Sequence, residues 1–134
     1  MMKPFTHPCT KEASIERVWK QYQLYGNLVI GYDFDNTVFD THKKGGDYSC
    51  VIDLLVECSK LGFVMCLYTA EPDEDVLKKK IKYCKKLGIN VDFVNESPIL
   101  NTKKPYFNVL LDDTAGLAEA YEILSTIVDK IKSK

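Results

Sequence analysis

The chain has 134 residues, of which 46% are apolar and 28% charged, with a formal net charge of −1. This is enough for one compact domain over residues 1–134 with a buried sheet, and it argues against a disordered chain. The near-neutral balance also argues against a broad nucleic-acid or membrane footprint.

No run approaches the ~20 apolar residues of a membrane span, and the start MMKPFTHPCTKEAS has no apolar run of signal-peptide length. These features predict a cytoplasmic protein. Cys9, Cys50, Cys58, Cys66 and Cys84 are irregularly spaced and form no CxxC, which argues against a disulfide framework or a thiolate zinc site. The last four lie in apolar segments and are expected to be buried small hydrophobes in a reducing compartment.

In chain order, residues 1–9 read as an irregular arm, because Pro4 and Pro8 discourage helix. Ile15, Val18, Trp19 and Tyr22 follow helical spacing, which predicts a helix over about 10–25 with Thr10 as cap and Gly26 as stop. Leu28–Phe34 reads as a buried strand. Residues 40–48, with Gly45 and Gly46, read as an exposed flap. Val51, Leu54, Leu55, Cys58 and Leu61 mark a second helix ended by Gly62, and Phe63–Tyr68 a second strand. The acidic run Glu71 to Asp75, with Pro72, opens a third helix. Leu77, Ile81 and Cys84 form its buried stripe, and its lysines (Lys78, Lys79, Lys80, Lys82, Lys85, Lys86) read as a solvated face. Val91–Val94 and Phe107–Leu111 are short strands. Leu117, Tyr121, Leu124, Val128 and Ile131 define a last amphipathic helix. This alternation predicts an α/β three-layer α/β/α sandwich with a mainly parallel sheet, its strands ending along one edge where ligands bind.

Polar residues fall at those strand ends. Asp33 and Asp35 follow the first strand, Thr69 the second, and Asp112 and Asp113 the fourth, which is preceded by Lys103 and Lys104. Each has a bland reading. The first pair starts a turn, Thr69 caps the next helix, and Asp112–Asp113 caps the last one. Brought together, however, the carboxylates repel one another. A hard divalent cation relieves that cost, and oxygen-only ligands favour magnesium over zinc. A lysine and a hydroxyl beside it suit phosphoryl oxygens.

The set, in this order, resembles the four motifs of the haloacid dehalogenase (HAD) superfamily. Asp33-Phe34-Asp35-Asn36-Thr37 is similar to its DxDx[TV] motif, Thr69 to the second, Lys104 to the third and Asp112-Asp113 to the fourth. The likeness spans residues 28–113. Asn36 stands where this family often has Gly, and Asn tolerates the left-handed conformation. The run TKKPYFNVLLDD also resembles a KPxxDxxxDD-like segment of a small phosphatase subgroup, loosely, because Asn108 replaces the first acid.

The resemblance implies a magnesium-dependent phosphatase. Asp33 would be the nucleophile forming an aspartyl-phosphate, and Asp35 the general acid and base, with a pKa raised by a neighbouring carboxylate and partial burial. Thr69 and Lys104 would bind phosphate, with Lys103 left open as the alternative lysine. Asp33, Asp35 through its carbonyl, and Asp112 would hold Mg²⁺; Asp113 is either a further ligand or an anchor.

His7 lies in the arm and is given no role. His42 sits in the flap just past the nucleophile motif, near enough to meet substrate. The gaps between Asp33, Thr69 and Lys104 are too short for a cap domain, so the pocket should be open. An open pocket suits a bulky phosphorylated substrate such as a nucleotide or a nucleic-acid end. No oligomer is indicated. The rival readings are a phosphotransferase or mutase with the same intermediate, and a non-enzymatic phosphate- or metal-binding scaffold. The dehalogenase branch lacks an acid at the Asp35 position, and the order of the acids argues against a phospho-receiver domain.

Overall fold

The computed structural model describes residues 8–134. Of the arm expected over 1–9, only Pro8 and Cys9 are described, in a turn; Pro4 and His7 lie outside the described residues. Helix α1 (Lys11–Tyr25) starts where Thr10 Oγ1 accepts the Ala13 N–H at 3.1 Å, satisfying an otherwise orphaned donor. It stops at Gly26, whose φ of 69° is open to glycine without strain. Strand β1 (Val29–Tyr32), helix α2 (Ser49–Lys60) and strand β2 (Val64–Leu67) follow.

Helix α3 (Glu74–Leu87) begins later than the acidic run suggests. Asp73 is the cap, its Oδ1 accepting from the Asp75 and Val76 amides, which leaves Glu71 and Pro72 outside the helix. Strands β3 (Phe93–Val94) and β4 (Val109–Leu111) and helix α4 (Leu117–Lys132) complete the chain.

The four strands form one sheet in the order β3-β2-β1-β4, and every pairing is parallel. Ile30 pairs with Met65 and Val109, and Tyr32 with Leu67 and Leu111, so these six side chains share one face. They join a single hydrophobic cluster with Val18 of α1, Leu55 of α2, Cys84 of α3 and Leu124 and Ile127 of α4. Each fully buried Leu, Ile or Met there contributes about 1.5–3 kcal/mol.

The opposite face is different. Strands β3 and β4 are the two edges, so residues 95–108 must cross the sheet to connect them, and they do so without a helix. The Phe107 ring lies so close over Gly31 that a Cβ there would sit 2.9 Å from three ring atoms. The sandwich is therefore asymmetric. Where the sequence predicts helices on both faces, the buried residues of all four helices join one face, and an irregular crossover covers the other.

Among the described residues, no helix is long and apolar enough to cross a membrane. Cys50, Cys58, Cys66 and Cys84 are free thiols. Cys58, Cys66 and Cys84 are buried as expected, but Cys50 is exposed along with Cys9, because it lies on the outer side of α2.

Candidate active site

Because the sheet is wholly parallel, each strand delivers its next residues to the same edge. Asp33 and Asp35 after β1, Thr69 after β2, Asn95 after β3 and Asp112 and Thr114 after β4 line one crevice of about 500 Å³, with Tyr68 and Ala70 completing it. Carboxylate oxygens of Asp33, Asp112 and Asp113 lie within 4.8 Å of one another.

Local hydrogen bonds build this edge. The Asp33 amide donates to Leu111 O at 2.9 Å, extending the β1–β4 ladder into the site. The Phe34 carbonyl accepts from the Thr37, Val38 and Phe39 amides, folding the chain back in a tight loop. Asn36 takes φ 57° in that loop, as a residue tolerant of the left-handed region should. Thr37 is fully buried, and its Oγ1 accepts the Asp113 N–H at 3.1 Å. Asp112 Oδ1 accepts from the Thr114 amide and hydroxyl, both at 2.9 Å.

Electrostatics separate the two aspartates of the first loop. Burial pushes the Asp33 carboxyl up to about 6, and the Asp112 carboxylate adds to this against the Phe34 amide. Asp35 behaves in the opposite way to the sequence expectation of a raised pKa. Its burial alone would push it up, but the Lys80 ammonium and the Thr41 hydroxyl outweigh that and hold it below the ordinary carboxylate value. Lys80 Nζ lies 2.9 Å from Asp35 Oδ2, and Thr41 Oγ1 donates to Asp35 Oδ1 at 2.7 Å. The Asp35 carboxylate is therefore engaged by Lys80 and Thr41 and is not one of the three that lie within 4.8 Å of one another.

Thr69 stands where expected. It is 7% exposed, and its Oγ1 makes no hydrogen bond of ordinary geometry among the described residues, although it is near enough to Asp33 to favour that carboxylate's charged form. A buried hydroxyl without a partner is costly in a closed protein and apt for a ligand oxygen.

Lys104 is exposed and is not among the crevice's lining residues; its carbonyl accepts from Thr102 Oγ1. Lys103 lines an adjoining cavity of about 230 Å³ that shares Tyr68 and Asn95 with the crevice. His42 is exposed in the flap and is the least of the groups that lower Asp35. A second cavity of about 500 Å³ opens near Leu28, Val29 and Val64, at the other ends of the strands, and carries no carboxylate.

Sequence reasoning missed two residues. Asn95 caps the exit of β3 and accepts the Thr69 amide through Oδ1 at 2.7 Å; a polar residue directly after a predicted strand was its signal. Lys80, read as part of a solvated face, is 8% exposed and also meets Glu71 Oε1 at 2.8 Å. Its signal was position. Lys80 is three residues after Leu77 and four before Cys84, and so falls in the buried stripe.

No family model, curated protein or solved structure matches this chain.

Proposed function

We propose that this chain is a magnesium-dependent phosphatase with an HAD-like, Rossmann-like fold that works through an aspartyl-phosphate on Asp33. The carrying observation is the convergence of Asp33, Asp112 and Asp113 within 4.8 Å, beside the buried Thr69 hydroxyl, which makes no hydrogen bond of ordinary geometry among the described residues, at the C-terminal edge of a parallel sheet.

The donor set fits magnesium. It consists only of oxygens and concentrates negative charge; Asp33 is raised mainly by burial, with the Asp112 carboxylate adding to it, and a cation would favour its charged form. Asp33, Asp112 and Asp113, with the Asp35 carbonyl, would hold the ion. Once bound, it supplies charge neutralisation for the nucleophile and the phosphoryl oxygens.

This chain's residues then divide the work. A carboxylate oxygen of Asp33 attacks phosphorus in line, and the bond to the leaving oxygen breaks. Thr69 donates to a phosphoryl oxygen. Asp35 lies two residues on, and as an ion-paired carboxylate it suits the second half of the reaction. There it takes a proton from the water that attacks phosphorus and releases Asp33. To protonate the leaving oxygen first, it must take up a proton despite Lys80. Lys103, beside the crevice, suits the phosphate-binding role better than Lys104.

The crevice lies open at the sheet edge, which suits a nucleotide or the end of a nucleic acid as substrate. The free thiols of Cys50, Cys58, Cys66 and Cys84 suit a cytoplasmic setting.

Phosphate release from a panel of nucleotides and sugar phosphates, with and without Mg²⁺, tests this reading. Turnover should require Mg²⁺ and fall at least about 1,000-fold in Asp33→Asn with the far-ultraviolet circular dichroism unchanged. Turnover of sugar phosphates alone would remove the nucleotide assignment. Turnover that survives Asp33→Asn would remove the mechanism.

A further inference from the structure

Lys80 is the least expected charged residue of the molecule. Its side chain is 10% exposed, yet it lies in a helix whose other lysines face solvent. A lysine is rarely buried unless paired, and this one is paired twice. Nζ meets Asp35 Oδ2 at 2.9 Å and Glu71 Oε1 at 2.8 Å, and sits 5.3 Å from the centroid of the Phe34 ring.

Its partners belong to different loops. Asp35 follows β1, in the loop that also carries Asp33. Glu71 follows β2, two residues beyond Thr69, in the loop that precedes the Asp73 cap of α3. Among the described residues, the other side-chain hydrogen bonds of Asp35 and Glu71 are local: Thr41 Oγ1 donates to Asp35, and the Asp73 amide donates to Glu71.

The geometry points to Lys80 as a positioning residue for the reaction proposed above: from α3 it ties the Asp33–Asp35 loop to the Thr69–Glu71 loop, and so sets the nucleophile, the acid–base residue and the phosphate-binding hydroxyl in one register. The inference rests on the phosphatase reading. Lys80 is not among the residues lining the crevice, so it acts through Asp35 and Glu71 rather than by touching substrate. The tie is also directional. Removing the ammonium leaves the partly exposed Asp35 and Glu71 carboxylates without their shared counter-ion, and their repulsion drives the loops apart.

Two measurements on Lys80→Met and Lys80→Arg test this. The first is hydrolysis of p-nitrophenyl phosphate with Mg²⁺. Lys80→Met should lower kcat about 100-fold while KM stays within about threefold, because misplacement by about 1 Å costs that much in rate without touching the binding contacts. Lys80→Arg should recover kcat to within about tenfold of wild type.

The second is amide hydrogen exchange, which needs no turnover. Exchange in Lys80→Met should quicken both in residues 33–39 and in 68–73, and stay unchanged in α4. Should Lys80→Met fail to fold, Lys80→Met/Glu71→Gln removes one of the stranded charges and carries the same two expectations.

Unchanged exchange in either loop overturns the tie, whether or not phosphate is released. Faster exchange with unchanged kcat overturns the positioning role, and so does a rise in KM with kcat intact. A wild-type protein that releases no phosphate overturns the phosphatase reading, while the exchange data still decide the tie.

Discussion

Thr37 and Asp113 are joined by a 3.1 Å hydrogen bond from the Asp113 amide to the Thr37 hydroxyl, across 76 positions of sequence. Thr37 has no exposed surface, so this bond is formed beneath the site rather than within it. It holds the Asp112–Asp113 turn against the Asp33 loop and brings the three carboxylates of the cluster together.

Replacing Thr37 by Val keeps the shape and removes the acceptor. The Asp113 amide then loses its partner, and stability should fall by about 1–3 kcal/mol. Urea unfolding followed by tryptophan fluorescence measures this. The same variant should bind Mg²⁺ more weakly than wild type in a calorimetric titration, because the turn bearing two of the proposed ligands is no longer pinned.

Asp33 carries a pH signature. Its carboxyl is pushed up to about 6 in the folded protein, mainly by burial, above the ordinary carboxylate value of the unfolded chain. Folding thus favours its protonated form. The associated stability is fully present below about pH 4 and is lost as pH rises through about 6. In EDTA, Tm should therefore fall across this window more steeply for wild type than for Asp33→Asn. Parallel curves would show that Asp33 does not titrate as its surroundings imply.

The same cluster predicts a metal effect of opposite sign. At about pH 8, well above the raised Asp33 value of about 6, Mg²⁺ at 100 times its Kd should stabilise wild type by about 2.7 kcal/mol. Asp112→Asn should show much less of this gain at the same concentration. Equal gains in both would place the ion elsewhere.

Asn108 occupies the position of the absent acid in the resembled phosphatase run, but it does structural work. It is 6% exposed; its Oδ1 accepts the Val29 amide at 2.6 Å, and its Nδ2 donates to Gln21 at 2.8 Å and Tyr106 at 3.1 Å. Asn108→Ala should cost about 1–3 kcal/mol through the stranded Val29 amide. In a phosphatase assay its kcat should stay near wild type at temperatures well below its Tm.

Gly31 and Phe107 should be coupled. A Cβ at Gly31 would meet the Phe107 ring at 2.9 Å, so Gly31→Ala should destabilise by about 1–3 kcal/mol. Gly31→Ala/Phe107→Leu should recover part of that loss, and a double-mutant cycle on urea midpoints reads the coupling.

Much of the architecture was legible in the sequence, because it is local. Thr10 and Gly26 bound α1 as their cap chemistry requires, and the apolar runs around Ile30, Met65 and Leu110 became strands that end within a few residues of the expected positions. The strand-end polar residues Asp33, Asp35, Thr69 and Asp112 were legible for the same reason: a parallel α/β alternation sends every strand exit to one edge, whatever the distance in sequence.

What the tertiary structure alone decided is how charged groups met once the chain had closed. Leu77, Lys80 and Cys84 share a helical face in any reading of the sequence. Only the arrival of Asp35 and Glu71 from two other loops made burial of the Lys80 ammonium favourable, and that same pairing lowered a carboxyl expected to be raised. Likewise, Lys103 and Lys104 are adjacent in sequence, and only the path of the crossover between β3 and β4 sets Lys103 beside the crevice and leaves Lys104 out of it. Periodicity and capping depend on neighbours a few residues away. The energy of a charge depends on whatever the fold puts within a few ångströms of it, and that is a property of the closed structure.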